Sequence, residues 1–441
     1  MQLRSFIQQA AGVGAVSLVD RVVAVGVGII FARWLGPAQF GAYSFVIAAI
    51  GLLLLPARLG LPELLTRDIA ASRGSAATVN VRATIRKGYL LVGAAALAIV
   101  LIGQVALQLA PQTSLGELMK FGLWLIVPAA FFEVTIGVLR GLGRTLSFQL
   151  YGTLLLSGVT LLISAALMLA LNRYDADIAV EGRFIAVTLL LLIAGGHLWS
   201  LLRHHVVDDA SQVRGAGELL QTGLGFMLNA LVYMALMRVD LLVLGLMADE
   251  AAVGLYRVAV EGGLLVAFAY GAATIVLAPE YARLFAAGEH QLLQRIVRQT
   301  GRLIMLAGAA TALPLIIFSE QIITLVFGAE YADAGVALSI LAAGHFATFF
   351  FGDPVYLLNM TGHHNRITAL VGIGLAISLM LCLGLIPLLG LTGAALAASI
   401  ALVSYRALAF RAVYRTLAIN CAVFGPAPKV GSAAPLRTDM E

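Results

Sequence analysis

The chain has 441 residues, 61% of them hydrophobic and only 12% charged, with a mean hydropathy of +0.97. A soluble domain carries roughly 25% charged residues, so water is not its main solvent, and a formal charge of +5 is too small and too scattered for nucleic-acid binding. Cys382 and Cys421 lie far apart with no CxxC or Cys/His spacing, which leaves out a structural disulfide or a zinc site.

The first apolar stretch begins near Ala10 and continues through Ile30 without a small-residue cleavage site, so it predicts a retained helix rather than a removable signal peptide. A bilayer core of about 30 Å needs roughly 20 apolar residues in a helix. In chain order, spans are predicted over 11–33, 41–66, 88–116, 119–139, 145–172, 184–202, 220–247, 251–276, 303–327 and 334–359. The uncharged run 367–405 is too long for one crossing and folds back at Pro387–Gly393 (PLLGLTG), which makes two more. The total is twelve, and an even count puts both termini on one side.

Charge tests that count. Twenty of the 28 Lys and Arg residues fall on the side of the termini, among them Arg67, Arg82, Arg86, Lys87, Arg140, Arg144, Arg203 and Arg366. The positive-inside rule then predicts cytoplasmic termini. The tail after Ala418 is rich in Pro, Ala and Gly and predicts disorder over 419–441.

The passage RWLGPAQFGAYSFVIAAIGLL has a counterpart in GLMADEAAVGLYRVAVEGGLL, with Gly41-Ala-Tyr43 aligned to Gly254-Leu-Tyr256. A same-sense repeat at about half the chain predicts two six-helix bundles, 1–210 and 211–418, in one orientation. The fold class is therefore all-α, a polytopic membrane protein.

Four passages extend the reading. Ala32-Arg-Trp-Leu-Gly-Pro37 with Phe40-Gly-Ala-Tyr43, Leu59-Gly-Leu61 with Leu65-Thr-Arg67, Leu139-Arg-Gly-Leu-Gly-Arg144, and Asn359-Met-Thr-Gly-His363 occur in this order across most of the chain. Together they resemble the multidrug/oligosaccharidyl-lipid/polysaccharide exporter superfamily, in its oligosaccharide flippase branch. The resemblance implies two bundles around a central cleft. It also implies movement of a polyprenyl-pyrophosphate-linked sugar from the inner to the outer leaflet of a bacterial cytoplasmic membrane by alternating access. Polymerase or glycosyltransferase partners are implied, and no cofactor.

Such a substrate carries a pyrophosphate that hydrocarbon excludes and a lipid tail that it accepts. Arginine suits the task because its guanidinium stays charged when partly desolvated and grips phosphate oxygens with paired donors. Arg21, Arg58, Arg238 and Arg257 are the intramembrane candidates. Holding each charge there costs about 2.5–3.5 kcal/mol on insertion scales, which either substrate binding or structural pairing offsets. Glu261 lies one turn after Arg257, Asp240 lies close to Arg238, and Arg58 can snorkel toward the surface.

Asp20, Glu133 and Asp353 are acids at membrane depth without an obvious local partner. They are candidates for coupling to a proton or sodium ion, or for pairing with an arginine elsewhere. His204-His205 and His363-His364 read as interfacial loop residues, and Pro128, Pro314 and Pro354 as kinks. A cation-coupled drug antiporter of the same superfamily is the alternative, and it would favour acids over arginines in its cavity. A membrane enzyme acting on lipid-linked sugars would need a sizeable catalytic loop, whereas the longest connections here are about 20 residues and no Walker motif occurs.

Overall fold

The computed structural model describes residues 2–72, 81–205, 215–361, 363–417 and 419–424, without the side chains of 2–18, 21, 204–205, 268–280, 282, 286 and 364–365. All regular structure among the described residues is helical. In order the helices are α1 (Gln2–Arg58), α2 (Leu61–Ser72), α3 (Val81–Leu109), α4 (Ser114–Leu123), α5 (Ile126–Gly141), α6 (Thr145–Gln149), α7 (Leu156–Leu171), α8 (Ala176–His205), α9 (Ala216–Leu236), α10 (Val239–Met247), α11 (Glu250–Ala286), α12 (His290–Ile317), α13 (Ser319–Phe327), α14 (Gly335–Thr348), α15 (Pro354–Met360) and α16 (His364–Leu417). A π-helical turn, Leu150–Leu155, joins α6 to α7, and short 3-10 turns precede and follow α14.

Eight helices among the described residues are long and apolar enough to cross a membrane, or nine if α4 and α5, bent by 42°, count as one broken span. Their outer faces require an apolar solvent. Along α3, Leu97, Leu101, Ile102, Val105 and Leu109 are all exposed, as are Leu162 and Leu169 on α7 and Met380, Leu383 and Leu388 on α16. Contiguous apolar exposure on this scale is stable only against lipid.

Two breaks fall where the sequence expects them, and other expected spans are interrupted. In α1 the helix breaks at Gly36 (φ 71) before Pro37, because proline has no amide to donate and its ring crowds the preceding turn. In α16 it breaks at Gly390 (φ 54), inside the expected PLLGLTG turn. The span expected over 41–66 ends instead at Arg58, where Leu59 (φ 54) and Gly60 (φ 65) turn the chain into α2. The expected span 220–247 divides at Arg238 between α9 and α10, and 303–327 divides at Phe318 between α12 and α13. That over 334–359 divides between Phe349 and Asp353.

The chain forms two compact units, residues 1–234 and 235–441. In the first, α2 lies against α5 at near-backbone distance. Gly137 faces the backbone of Pro62 and Gly141 that of Thr66, so a Cβ at either would meet main-chain atoms at about 2.9–3.2 Å. The Thr66 hydroxyl turns this closeness into a bond, reaching the carbonyls of Pro62 (2.7 Å) and Gly137 (2.8 Å). Most of α9 belongs to this unit because Gly223 and the Leu59–Gly60 turn approach backbone to backbone. Arg67 adds its guanidinium over the Phe226 ring, 5.4 Å from the centroid.

In the second unit a buried core joins α11, α12, α15 and α16 through Tyr281, Leu284, Leu293, Val297, Leu357, Leu358, Val413 and Leu417. The first residues of the tail belong to it, which corrects the disorder expected from Ile419 onward. Ile419, Cys421 and Val423 are all buried. Gln294 holds the Asn420 backbone at both ends, accepting from its N–H (2.7 Å) and donating to its carbonyl (2.5 Å). Val423 N–H donates to the Phe350 carbonyl at 3.2 Å, and Phe424 packs on the Phe350 ring. Residues 425–441 lie outside the described residues.

Candidate functional site

Two groups of charged side chains sit within apolar helices, one in each unit. In the first unit Arg58, at the end of α1, is bound by Glu63 from the first turn of α2 (3.1 Å) and by Glu133 from α5. The turn at Leu59–Gly60 brings Glu63 back over Arg58, and the close α2–α5 packing brings Glu133 to the same guanidinium. Arg58 is 15% exposed, Glu133 31% and Glu63 38%. One cation faces two carboxylates, a formal excess of one negative charge, and Oε2 of Glu63 is buried without a hydrogen-bond partner.

Glu133, without a local partner in the sequence, pairs with a distant arginine, Arg58, 75 residues away. Arg58 is held by both acids. Glu63 was missed by the sequence reading, although Pro62 and Glu63 at the start of a helix form a recognisable N-terminal signal.

In the second unit Arg257 pairs with Glu261 one turn later on α11, as the spacing predicts. Arg238 occupies the break between α9 and α10. Its guanidinium makes no ion pair among the described residues, although Arg257, Asp240 and Glu261 all act on it electrostatically. Asp240 turns away to other donors. Its Oδ1 accepts from Leu241 N–H at 2.8 Å and its Oδ2 from the hydroxyl of Tyr256 at 2.5 Å, a fully buried side chain that the sequence reading also missed. Two arginines thus meet one paired carboxylate, Glu261, and one carboxylate, Asp240, already occupied by neutral donors.

The other candidates fall elsewhere. Asp20 is half-buried in α1, and the side chain of Arg21 lies outside the described residues. Asp353 is 3% exposed at the N-cap of α15, where its charge acts on Tyr281 and Cys421. Burial, then the charge of Asp353, pushes the Cys421 thiol well above the usual range. No group of three His, Cys, Asp or Glu among the described residues is arranged to hold a metal ion.

Multiple long apolar helices with apolar outer faces define an all-α polytopic membrane protein. The profile of the polysaccharide biosynthesis protein family matches residues 8–285, and the chain belongs to that family. Its fold is that of the wider multidrug/oligosaccharidyl-lipid/polysaccharide superfamily. The lipid II flippase MurJ in an inward closed conformation superimposes with a TM-score of 0.71 at 14% identity, covering 91% of this chain and 87% of that one. An inward-facing multidrug resistance MATE family transporter gives 0.68 at 16% identity, covering 89% and 93%. A mutant of the Vibrio cholerae MATE transporter VcmN gives 0.63 at 18% identity, covering 93% and 98%. Among curated proteins no relative matches.

Proposed function

We propose that this protein is a flippase that carries polyprenyl-pyrophosphate-linked oligosaccharide from the inner to the outer leaflet of a bacterial cytoplasmic membrane, for cell-surface polysaccharide synthesis. It does so by alternating access of two six-helix bundles, 1–210 and 211–418, with both termini cytoplasmic. Twelve spans are consistent with the breaks at Gly36 and Gly390, which divide two helices that are each too long for one crossing. The family's description as polysaccharide biosynthesis protein supports the substrate class.

The observation that carries the reading is Arg238. An arginine at a helix break inside apolar sequence, with no ion pair among the described residues and its neighbouring acid engaged by Tyr256 and Leu241, has a guanidinium that an arriving anion can pair with. A pyrophosphate supplies that anion and takes two donors at once. Arg257 and Arg21 are further contacts in this account. Arg58 serves instead as the fixed cation of the Glu63–Glu133 cluster, whose excess negative charge takes a proton or a sodium ion and couples the cycle to an ion gradient. Asp20 and Asp353 remain secondary coupling candidates.

That same acidic cluster favours a second reading, a cation-coupled drug antiporter. Reconstituted vesicles separate the two. The flippase reading expects leaflet transfer of a fluorescent polyprenyl-pyrophosphate sugar and no gradient-driven uptake of cationic dyes. Dye exchange without lipid transfer overturns it.

A further inference from the structure

Helices α3 and α8 run antiparallel in the first unit, and between them lies an open groove of about 470 Å³ lined by Tyr89, Phe131, Thr135, Leu192, Gly196 and Trp199, among others. The volume falls in the range of about 300–1,000 Å³ used for small ligands. Gly195 and Gly196 create it, since nothing stands within 4 Å of where their Cβ atoms would be, while on the opposite wall Phe131 lies on Gly93 and stacks on Tyr89 at 5.7 Å. The floor has no hydrogen to offer. The Thr135 hydroxyl donates to the Phe131 carbonyl (2.7 Å) and so accepts from Tyr89 at 2.6 Å, which uses both protons. Such a floor takes an alkyl chain rather than a polar headgroup.

One end of the groove is different. Arg203 lies over the Trp199 ring at 3.6 Å, and Trp199 is 58% exposed, an amphipathic side chain of the kind that marks the headgroup level. Arg82 ties the two helix ends together by donating to the Leu202 carbonyl at 2.7 Å. Arg86 and Lys87 follow one turn later on α3, with Arg86 one turn before Tyr89. No Asp or Glu occurs in α3, and those of α8, Asp177 and Glu181, lie at its other end.

We propose that this groove is a binding site for a glycerophospholipid with an anionic headgroup, one acyl chain lying between α3 and α8 and the phosphate resting on Arg203 and Arg86. The basic residues supply the charge complementarity, and each contributes about a fivefold preference, the factor that ~1 kcal/mol per basic residue at an anionic surface gives. The site uses none of the Arg58 or Arg238 clusters and stands whether or not the chain flips a lipid-linked sugar.

The test is quenching of Trp199 in full-length protein carrying Trp34→Phe and Trp124→Phe, reconstituted with phosphatidylglycerol or phosphatidylcholine bearing the same brominated chains. Stronger quenching by brominated phosphatidylglycerol is expected, with the preference falling about fivefold in Arg203→Gln and again in Arg86→Gln. Gly196→Leu fills the groove and should abolish quenching by either lipid at unchanged elution volume. Because that variant carries a folding risk, native mass spectrometry of the wild-type chain provides the second readout, a retained phosphatidylglycerol that phosphatidylcholine does not replace. Equal quenching by the two lipids, or displacement of phosphatidylglycerol by equimolar polyprenyl phosphate, overturns the proposal.

Discussion

Arg58 and Glu133, 75 residues apart in the chain, are bound to each other inside the first unit, and Glu63 closes the cluster from the other side. Removing the cation leaves two carboxylates facing each other in a half-buried site. Arg58→Ala should lower stability by about 2 kcal/mol, less than the 3–5 kcal/mol of a fully buried pair because all three side chains keep some exposure. Thermal unfolding in detergent checks this, and Arg58→Ala combined with Glu133→Gln should recover part of the loss.

Glu133→Gln alone keeps Arg58 paired with Glu63 and removes the excess charge. The protein should fold normally, and lipid transfer should lose its dependence on an imposed proton or sodium gradient. Transfer rates measured with and without each gradient decide it, and unchanged gradient dependence removes Glu133 from coupling.

Backbone contact at Gly60 and Gly223 makes both intolerant of a methyl group. Gly60→Ala meets the Gly223 carbonyl at a positive φ, and Gly223→Ala meets the Leu59 carbonyl. Each should cost about 1–3 kcal/mol. Gly195→Ala, helical with open space around it, should be neutral or stabilise by about 0.5–1 kcal/mol. Parallel melting curves of the three variants test the contrast.

The Arg257–Glu261 pair separates structure from binding. Exchanging the two charges as Arg257→Glu with Glu261→Arg restores an i,i+4 pair in the more favourable order, so stability should match wild type. If Arg257 also meets the substrate, transfer should remain low in the exchanged variant. A stability assay and a transport assay on one preparation distinguish the two roles.

Cys421 reports on the docked tail. Its raised thiol pKa, caused by burial and then by Asp353, keeps it protonated through neutral pH. The contribution to stability is complete below the ordinary thiol value of about 8.5 and is lost as pH rises above it. Maleimide labelling of Cys421 at neutral pH should be slow and should accelerate at least tenfold in Gln294→Ala, which releases the Asn420 backbone. The remaining thiol, Cys382, is removed beforehand by Cys382→Ala.

The sequence revealed the apolar helices, the breaks near Gly36 and Gly390 and the Arg257–Glu261 pair, because each is written in residues close together. The Arg58–Glu133 pair was not legible, since it depends on how α2 and α5 pack, and that packing rests on Gly137 and Gly141 admitting the backbone of α2. Tyr256 was hidden for the same reason, 16 residues from the carboxylate that it satisfies. The docked tail is a different failure. Its composition reads as disordered, but Ile419, Cys421 and Val423 are apolar side chains that the core of the second unit buries.

If Arg238 keeps its donors for the pyrophosphate of a lipid-linked sugar, transport should depend on that one side chain. The most direct test is leaflet transfer of a fluorescent polyprenyl-pyrophosphate sugar in vesicles containing wild-type protein or Arg238→Gln, with folding checked by thermal unfolding. The account predicts transfer by the wild type and a loss of about tenfold or more in the variant, the effect of one charge-assisted hydrogen bond of about 1.5–3 kcal/mol. Equal transfer by a folded Arg238→Gln protein would contradict it.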